Sequence, residues 1–206
     1  MNKVKSIVKI GIYNVLYPLV SIFQFFEKKM HNVLIYNEIK RIKGTGKDVW
    51  FGYPYYLFGE KYMKIGTGFG SSPGLRIECI DEWGGGHYHP QLIIGDYVNC
   101  NYYCHIGCMN KITIGDHVTL GSRVLITDHA HGELSKSKIP YFDRKLISKG
   151  PVTIGNNVWI GENACIMPGV TIGEGCIIGA NAVVTHDVPP YSLAAGVPSK
   201  VIKTLQ

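Results

Sequence analysis

The chain has 206 residues, 46% of them apolar and only 17% charged, against roughly 25% in an average soluble chain; its 25 glycines form no G-x-y triplet. This composition excludes a disordered or acidic tail protein and a collagen. The net charge of +6 lies wholly in residues 1–50, with nine Lys/Arg against three Asp/Glu, while the remainder carries twelve of each, which disfavours a diffuse nucleic-acid-binding surface.

In the first segment Val4, Ile7, Val8, Ile12, Val15, Leu16, Leu19, Phe23 and Phe26 recur at three- and four-residue spacing. That predicts an amphipathic helix, kinked or broken by Pro18. Lys9 and Asn14 interrupt the apolar run and no small-residue cleavage site follows Phe26, unlike a secretory signal. The stretch Ile10–Phe26 is short and polar for a membrane span. The helix either packs on the body of its own oligomer or makes a peripheral contact with an anionic membrane through residues 1–30. Six cysteines without a signal peptide point to a reducing, cytoplasmic location, at the inner face of the membrane if residues 1–30 bind it.

From Ile154 to Pro189, 36 residues divide into six hexads, with Ile154, Ile160, Ile166, Ile172, Ile178 and Val184 in the first slot. The fifth slot holds Val158, Ala164, Val170, Cys176, Ala182 and Val188. The frame extends upstream through Ile94, Cys100 and Ile106 and through Ile114, Leu120 and Ile126, with a weaker block from Ile65 and Ile77. Three six-residue strands make an 18-residue coil of triangular section, and coils must stack to bury their inner faces. Gly in slot two fits a tight corner. Cys100, Cys104 and Cys176 take inward slots, so the grouping of Cys100, Cys104 and Cys108 reads as core and no metal site is expected. The chain divides into a basic helical segment (1–45), a repeat body (46–190) and a C-terminal extension (191–206).

The frame slips at 83–92, at 108–113 and, most, at 128–151, an insertion too long for a coil corner. A smooth prism has no pocket of its own, so chemistry belongs to the insertions or to grooves between prisms. Asp128, His129 and His131 form the densest polar cluster, at the root of the long loop. A His there suits a general base. Alternatively, Asp128 and His131 merely hold the loop root.

The segments NYYCHIGCMNKITIGDHVTLGSRVLITDHAHG (101–132) and SKGPVTIGNNVWIGENACIMPGVTIGEGCIIGANAVVTHDVPPYSLAAGVPSKVIK (148–203) resemble the hexapeptide-repeat acyltransferases, particularly the sugar O-acetyltransferases of bacterial surface polysaccharides. The resemblance implies an all-β fold, a left-handed parallel β-helix, and a homotrimer with the cofactor in a groove between prisms. It implies acetyl-CoA as co-substrate, a sugar or glycan acceptor, and His129 as the base that deprotonates the attacking hydroxyl. Asp128 and His131 are the supporting or alternative base. Asn101 and Trp159 match acceptor-side positions; Gly161, Ala180, Thr185, Lys200 and Lys203 match coenzyme A positions. A carboxylate used by related galactoside enzymes falls on Met109, and a cofactor-side serine is Glu162 here.

The close alternative is N-acetylation of a nucleotide-linked amino sugar. A zinc hydratase on the same coil would draw on His87, His89, His105, His117, His129 and His131, which lack the H-x4-H spacing. A non-catalytic scaffold would have no need of His129, the 148–160 segment and a basic extension together.

Overall fold

The computed structural model describes residues 2–133 and 137–205, with side chains from residue 16 onward among the helical residues. The chain falls into two compact units, residues 1–38 and 39–206.

A single helix runs from Asn2 to Arg41 and passes through Pro18 without a break. Of the kink or break expected at Pro18, the break does not occur: Pro18 lacks the N–H that the Asn14 carbonyl would receive, and the turns on either side carry the helix across. From Leu16 to Leu34 its large apolar side chains are exposed, among them Leu19, Phe23, Phe26 and Met30, whereas Ile35 is buried. The first half of the predicted apolar face, Val4 to Val15, lies outside the described side chains.

The second unit is the left-handed parallel β-helix. Its first sheet stacks Trp50–Phe51, Gly70–Ser71, Asn99–Cys100, Thr119–Leu120, Trp159–Ile160, Ile177–Ile178 and Ser192–Gly196 in parallel. The second stacks Tyr56–Phe58, Arg76–Cys79, His105–Cys108, Leu125–Thr127, Cys165–Ile166 and Val183–Val184. The third stacks Met63–Ile65, Gln91–Ile94, Lys111–Ile114, Val152–Ile154 and Thr171–Ile172. The chain visits first, second and third sheet in turn, and the coil begins earlier than the weak block at Ile65 suggests. A final strand, Ser199–Thr204, folds back antiparallel on Ser192–Gly196.

The slots behave as the hexads predict. Ile94, Ile106, Ile114, Leu120, Ile126, Ile154, Ile160, Ile166, Ile172, Ile178 and Val184 are 0–2% exposed, and Cys100, Cys104 and Cys176 are fully buried beside them. Each such aliphatic contributes about 1.5–3 kcal/mol by burial.

The corner chemistry differs from expectation. The left-handed residue is slot four, where Tyr97, Tyr103, His117, Arg123, Asn157, Asn163 and Asn181 have φ of 55–60°. Slot-two glycines are needed for another reason. A Cβ at Gly161 would press on the backbone of Ala180 one coil on, and one at Gly155 on that of Glu174. Close stacking of corners, not backbone twist, excludes a side chain there.

Candidate active site

His129 stands at the corner between the second and third sheets, just past the strand Leu125–Thr127. Asp128 turns inward and is fully buried. Its Oδ1 accepts the Met109 N–H at 2.8 Å and its Oδ2 the Asn110 N–H at 2.8 Å, while the Cys108 thiol donates to Oδ2 at 3.6 Å. The frame slip at 108–113 thereby acquires a purpose: the extra residues turn two backbone donors onto the carboxylate. Such charge-assisted bonds offset the cost of burying it. The hydrogen bond with the Cys79 thiol, then burial and the Asp128 charge, push the Cys108 thiol far up, so it stays protonated.

His129 Nδ1 lies 3.0 Å from Asp128 Oδ1. An acceptor already committed to N–H donors fixes the imidazole proton on Nδ1 and leaves the Nε2 lone pair for chemistry. The side chain is 9% exposed and lines a cleft in front of it.

That cleft, of about 360 Å³, is lined by Arg76, Glu78, Trp83, His105, His129 and His131, among others. Gly107 is its floor: a Cβ there would stand 3.2 Å from His129 Cε1 and 3.8 Å from His105 Nε2. His105 Nε2 is 3.1 Å from Glu78 Oε2, and the Arg76 guanidinium is 2.8 Å from the same oxygen. Burial, opposed by Glu78 and aided by the Arg76 charge, holds His105 below the ordinary imidazole range, so it is neutral at pH 7.

Two insertions build the outer wall. The hairpin Glu82–Trp83/Gly86–His87 fills the slip at 83–92. Trp83 Nε1 donates to the Phe142 carbonyl at 2.9 Å, and its ring meets those of Phe142 at 4.9 Å and His131 at 5.2 Å, edge to face. Tyr88 Oη accepts the Leu146 N–H at 2.8 Å, and Ala130 and Ile147 exchange backbone bonds of 2.9 and 3.0 Å across the loop root. His131 is thus part of an aromatic wall, 6.5 Å from the His129 ring centre.

The remaining predicted residues lie elsewhere. Asn101, Gly161 and Ala180 share the corner between the first and second sheets, where the Asn101 N–H donates to Leu120 and the Gly161 N–H to Ile178. Trp159 projects from the first sheet, 55% exposed. Lys200 and Lys203 sit on the terminal antiparallel strand. Thr185 belongs to the His129 corner: the register Leu125, Cys165, Val183 puts it two coils beyond Thr127, roughly 10 Å at the usual strand spacing. One chain therefore carries two polar corners, separated by the whole second sheet. Glu162 pairs with Arg123 at 3.4 Å on the surface. Among the described residues no three His, Cys, Asp or Glu side chains converge on a metal position.

Arg76, Glu78, Trp83 and Gly107 are absent from the sequence-based site, and His105 appears there only as a zinc candidate. The frame carries a usable signal for two of them: the slip at 108–113 fixes an offset of 20 residues, stacking His105 on Leu125 and Gly107 on Thr127.

A stacked coil with a carboxylate-braced imidazole opening into a side cleft defines an enzyme of the left-handed β-helix class. Residues 151–186 match the family model described as bacterial transferase hexapeptide (six repeats). The chain is 37% identical over 157 residues to WbbJ of Escherichia coli strain K12, a protein provisionally named for O-acetyl transfer in lipopolysaccharide biosynthesis, covering 73% of this chain and 76% of that one. It is 41% identical over 121 residues to the galactoside O-acetyltransferase of the same strain, spanning 57% of this chain and 56% of that relative. Among solved structures, the N-acyltransferase AntD from Bacillus cereus superposes with a TM-score of 0.68 at 19% identity, over 87% and 89% of the two chains. A maltose O-acetyltransferase from Clostridium difficile 630 does so with a TM-score of 0.57 at 28% identity, over 82% and 73%. The chain belongs to the hexapeptide-repeat acyltransferase family.

Proposed function

We propose that the protein transfers an acetyl group from acetyl-CoA to a hydroxyl of a sugar in a cell-surface polysaccharide or its precursor. The observation that carries this reading is the imidazole of His129, braced on Nδ1 by buried Asp128 and open on Nε2 to a cleft with an aromatic wall. A sugar hydroxyl is a weak nucleophile at neutral pH. Nε2 of His129 takes its proton as the oxygen bonds to the thioester carbon, and returns it to the departing sulfur. Asp128 keeps the ring in the tautomer that can do so. Relatives named for O-acetyl transfer in lipopolysaccharide biosynthesis and to galactosides support a sugar acceptor.

Donor binding is assigned to the corners. Thr185 continues the His129 column, while Gly161, Ala180 and the basic strand with Lys200 and Lys203 occupy the next corner, suited to an elongated anionic molecule. Both corners serve one site if a second prism brings its Asn101, Trp159 and Ala180 to the first prism's His129. That arrangement is a homotrimer with a site in each groove. The exposed apolar residues of the N-terminal helix and its lysines support a peripheral contact with the inner face of the membrane, and with it a cytoplasmic enzyme.

The test is thiol release from acetyl-CoA across a panel of sugars, nucleotide sugars including amino sugars, and oligosaccharides. Wild type releases thiol with at least one acceptor, and His129→Ala reduces the rate by about 10²–10⁴. Full activity in His129→Ala removes His129 as the base; transfer only to amines selects N-acylation.

A further inference from the structure

The cleft holds a second histidine–carboxylate pair that the reaction, as described, leaves unused. His105 lies one coil before Leu125, on the strand that leads to His129, and both rings stand close to Gly107. Glu78 takes His105 Nε2 at 3.1 Å and the Arg76 guanidinium at 2.9 Å on Oε1 and 2.8 Å on Oε2. Its side chain keeps 17% exposure, Arg76 keeps 54% and His105 35%, so all three reach the cleft. A group needed only to stabilise the sheet has no reason to leave a carboxylate, a guanidinium and an imidazole facing the reacting centre.

The charges define the ligand. Arg76 cancels Glu78, and His105 is neutral, so the subsite presents a donor and an acceptor without net charge. A charged acceptor would find no uncompensated counter-charge among these three groups, whereas a hydroxyl can both donate to Glu78 and accept from Arg76. Trp83, on the wall formed with Phe142, offers the flat apolar surface on which a sugar ring rests. Resting on the acetyl-transfer reading of the same cleft, we infer that Arg76, Glu78 and His105 bind a second hydroxyl beside the one His129 deprotonates. The acceptor is then an uncharged pyranose with adjacent free hydroxyls, and these residues set which hydroxyl is acetylated.

The experiment measures thiol release from acetyl-CoA with methyl glycosides of glucose, galactose and mannose, their monodeoxy analogues, and the matching uronic acids and amino sugars. Wild type, Glu78→Gln and His105→Gln are compared, with thermal unfolding recorded for each; either folded variant suffices. Wild type should favour the preferred glycoside over its neighbouring deoxy analogue by about 10–100-fold, the range of a hydrogen bond to a charged group. The variants should lose that preference through a raised KM for the glycoside, with the KM for acetyl-CoA unchanged. Active variants that discriminate as wild type does, or a wild type that prefers the uronic acid or the amino sugar, overturn the subsite while leaving acyl transfer intact. No release by wild type with any of these acceptors overturns the sugar-transfer reading at monosaccharide size, and the subsite with it.

Discussion

Asp128 is the residue on which the site turns, because both of its oxygens are already spoken for. Each accepts a backbone N–H at 2.8 Å, and Oδ1 also faces His129 Nδ1. An amide in its place has one acceptor oxygen and one donor, so Asp128→Asn leaves a buried N–H facing an NH₂ whichever way it lies. The expected loss is about 1–3 kcal/mol of unfolding free energy. Chemical denaturation measures it, and the same variant should lower kcat with the KM for acetyl-CoA unchanged. An unaltered midpoint with normal kcat would mean the carboxylate neither holds the turn nor orients the ring. At this scale Asp128 and His129 are legible in the sequence as an adjacent pair at a loop root. Glu78 and His105 are not legible as a pair, although the offset of 20 residues places His105 beside Leu125. Their partnership crosses the hairpin insertion, which displaces the repeat so that Arg76 pairs with His105 rather than with a residue 18 or 20 further on.

At the scale of elements, the hexads from Ile154 to Val184 announce their own inward face, since a period of six with aliphatics in slot one has a single solution in a three-sided coil. Slot two misleads: its glycines look like turn formers, and only the stacked neighbour reveals that Gly161 is small because Ala180 is close. Pro18 misleads in the opposite sense, being a helix breaker inside an unbroken 40-residue helix. That helix leaves Phe23, Phe25, Phe26 and Met30 exposed, and no helix of the described residues is long and apolar enough to cross a membrane. The peripheral contact proposed for this helix draws on that exposed apolar face. Deleting residues 1–30 should shift the protein from the membrane to the soluble fraction of a cell lysate while thiol release per molecule persists. Equal recovery of the two chains in the soluble fraction would assign the helix to protein packing instead.

At the scale of the whole molecule, the two polar corners are what a single chain cannot reconcile. His129 and Thr185 stand on one, Asn101, Gly161 and Ala180 on another, and the second sheet lies between them. Resemblance identifies all five from their local wording, but wording does not say whether they meet within one chain or between two. The topology answers for one chain, and the proposal that copies supply the missing wall follows from it. Complementation tests this most directly. His129→Ala removes the base from one corner, and Ala180→Trp, at an exposed position, fills the other. Each variant alone should be inactive. Refolded together in equal amounts, they should regain about a quarter of wild-type thiol release, because a site between copies is whole only when its His129 wall comes from the Ala180→Trp chain and its Ala180 wall from the His129→Ala chain. No activity above that of the separate variants, in mixed oligomers shown to contain both chains, would contradict a site built from two corners of two chains.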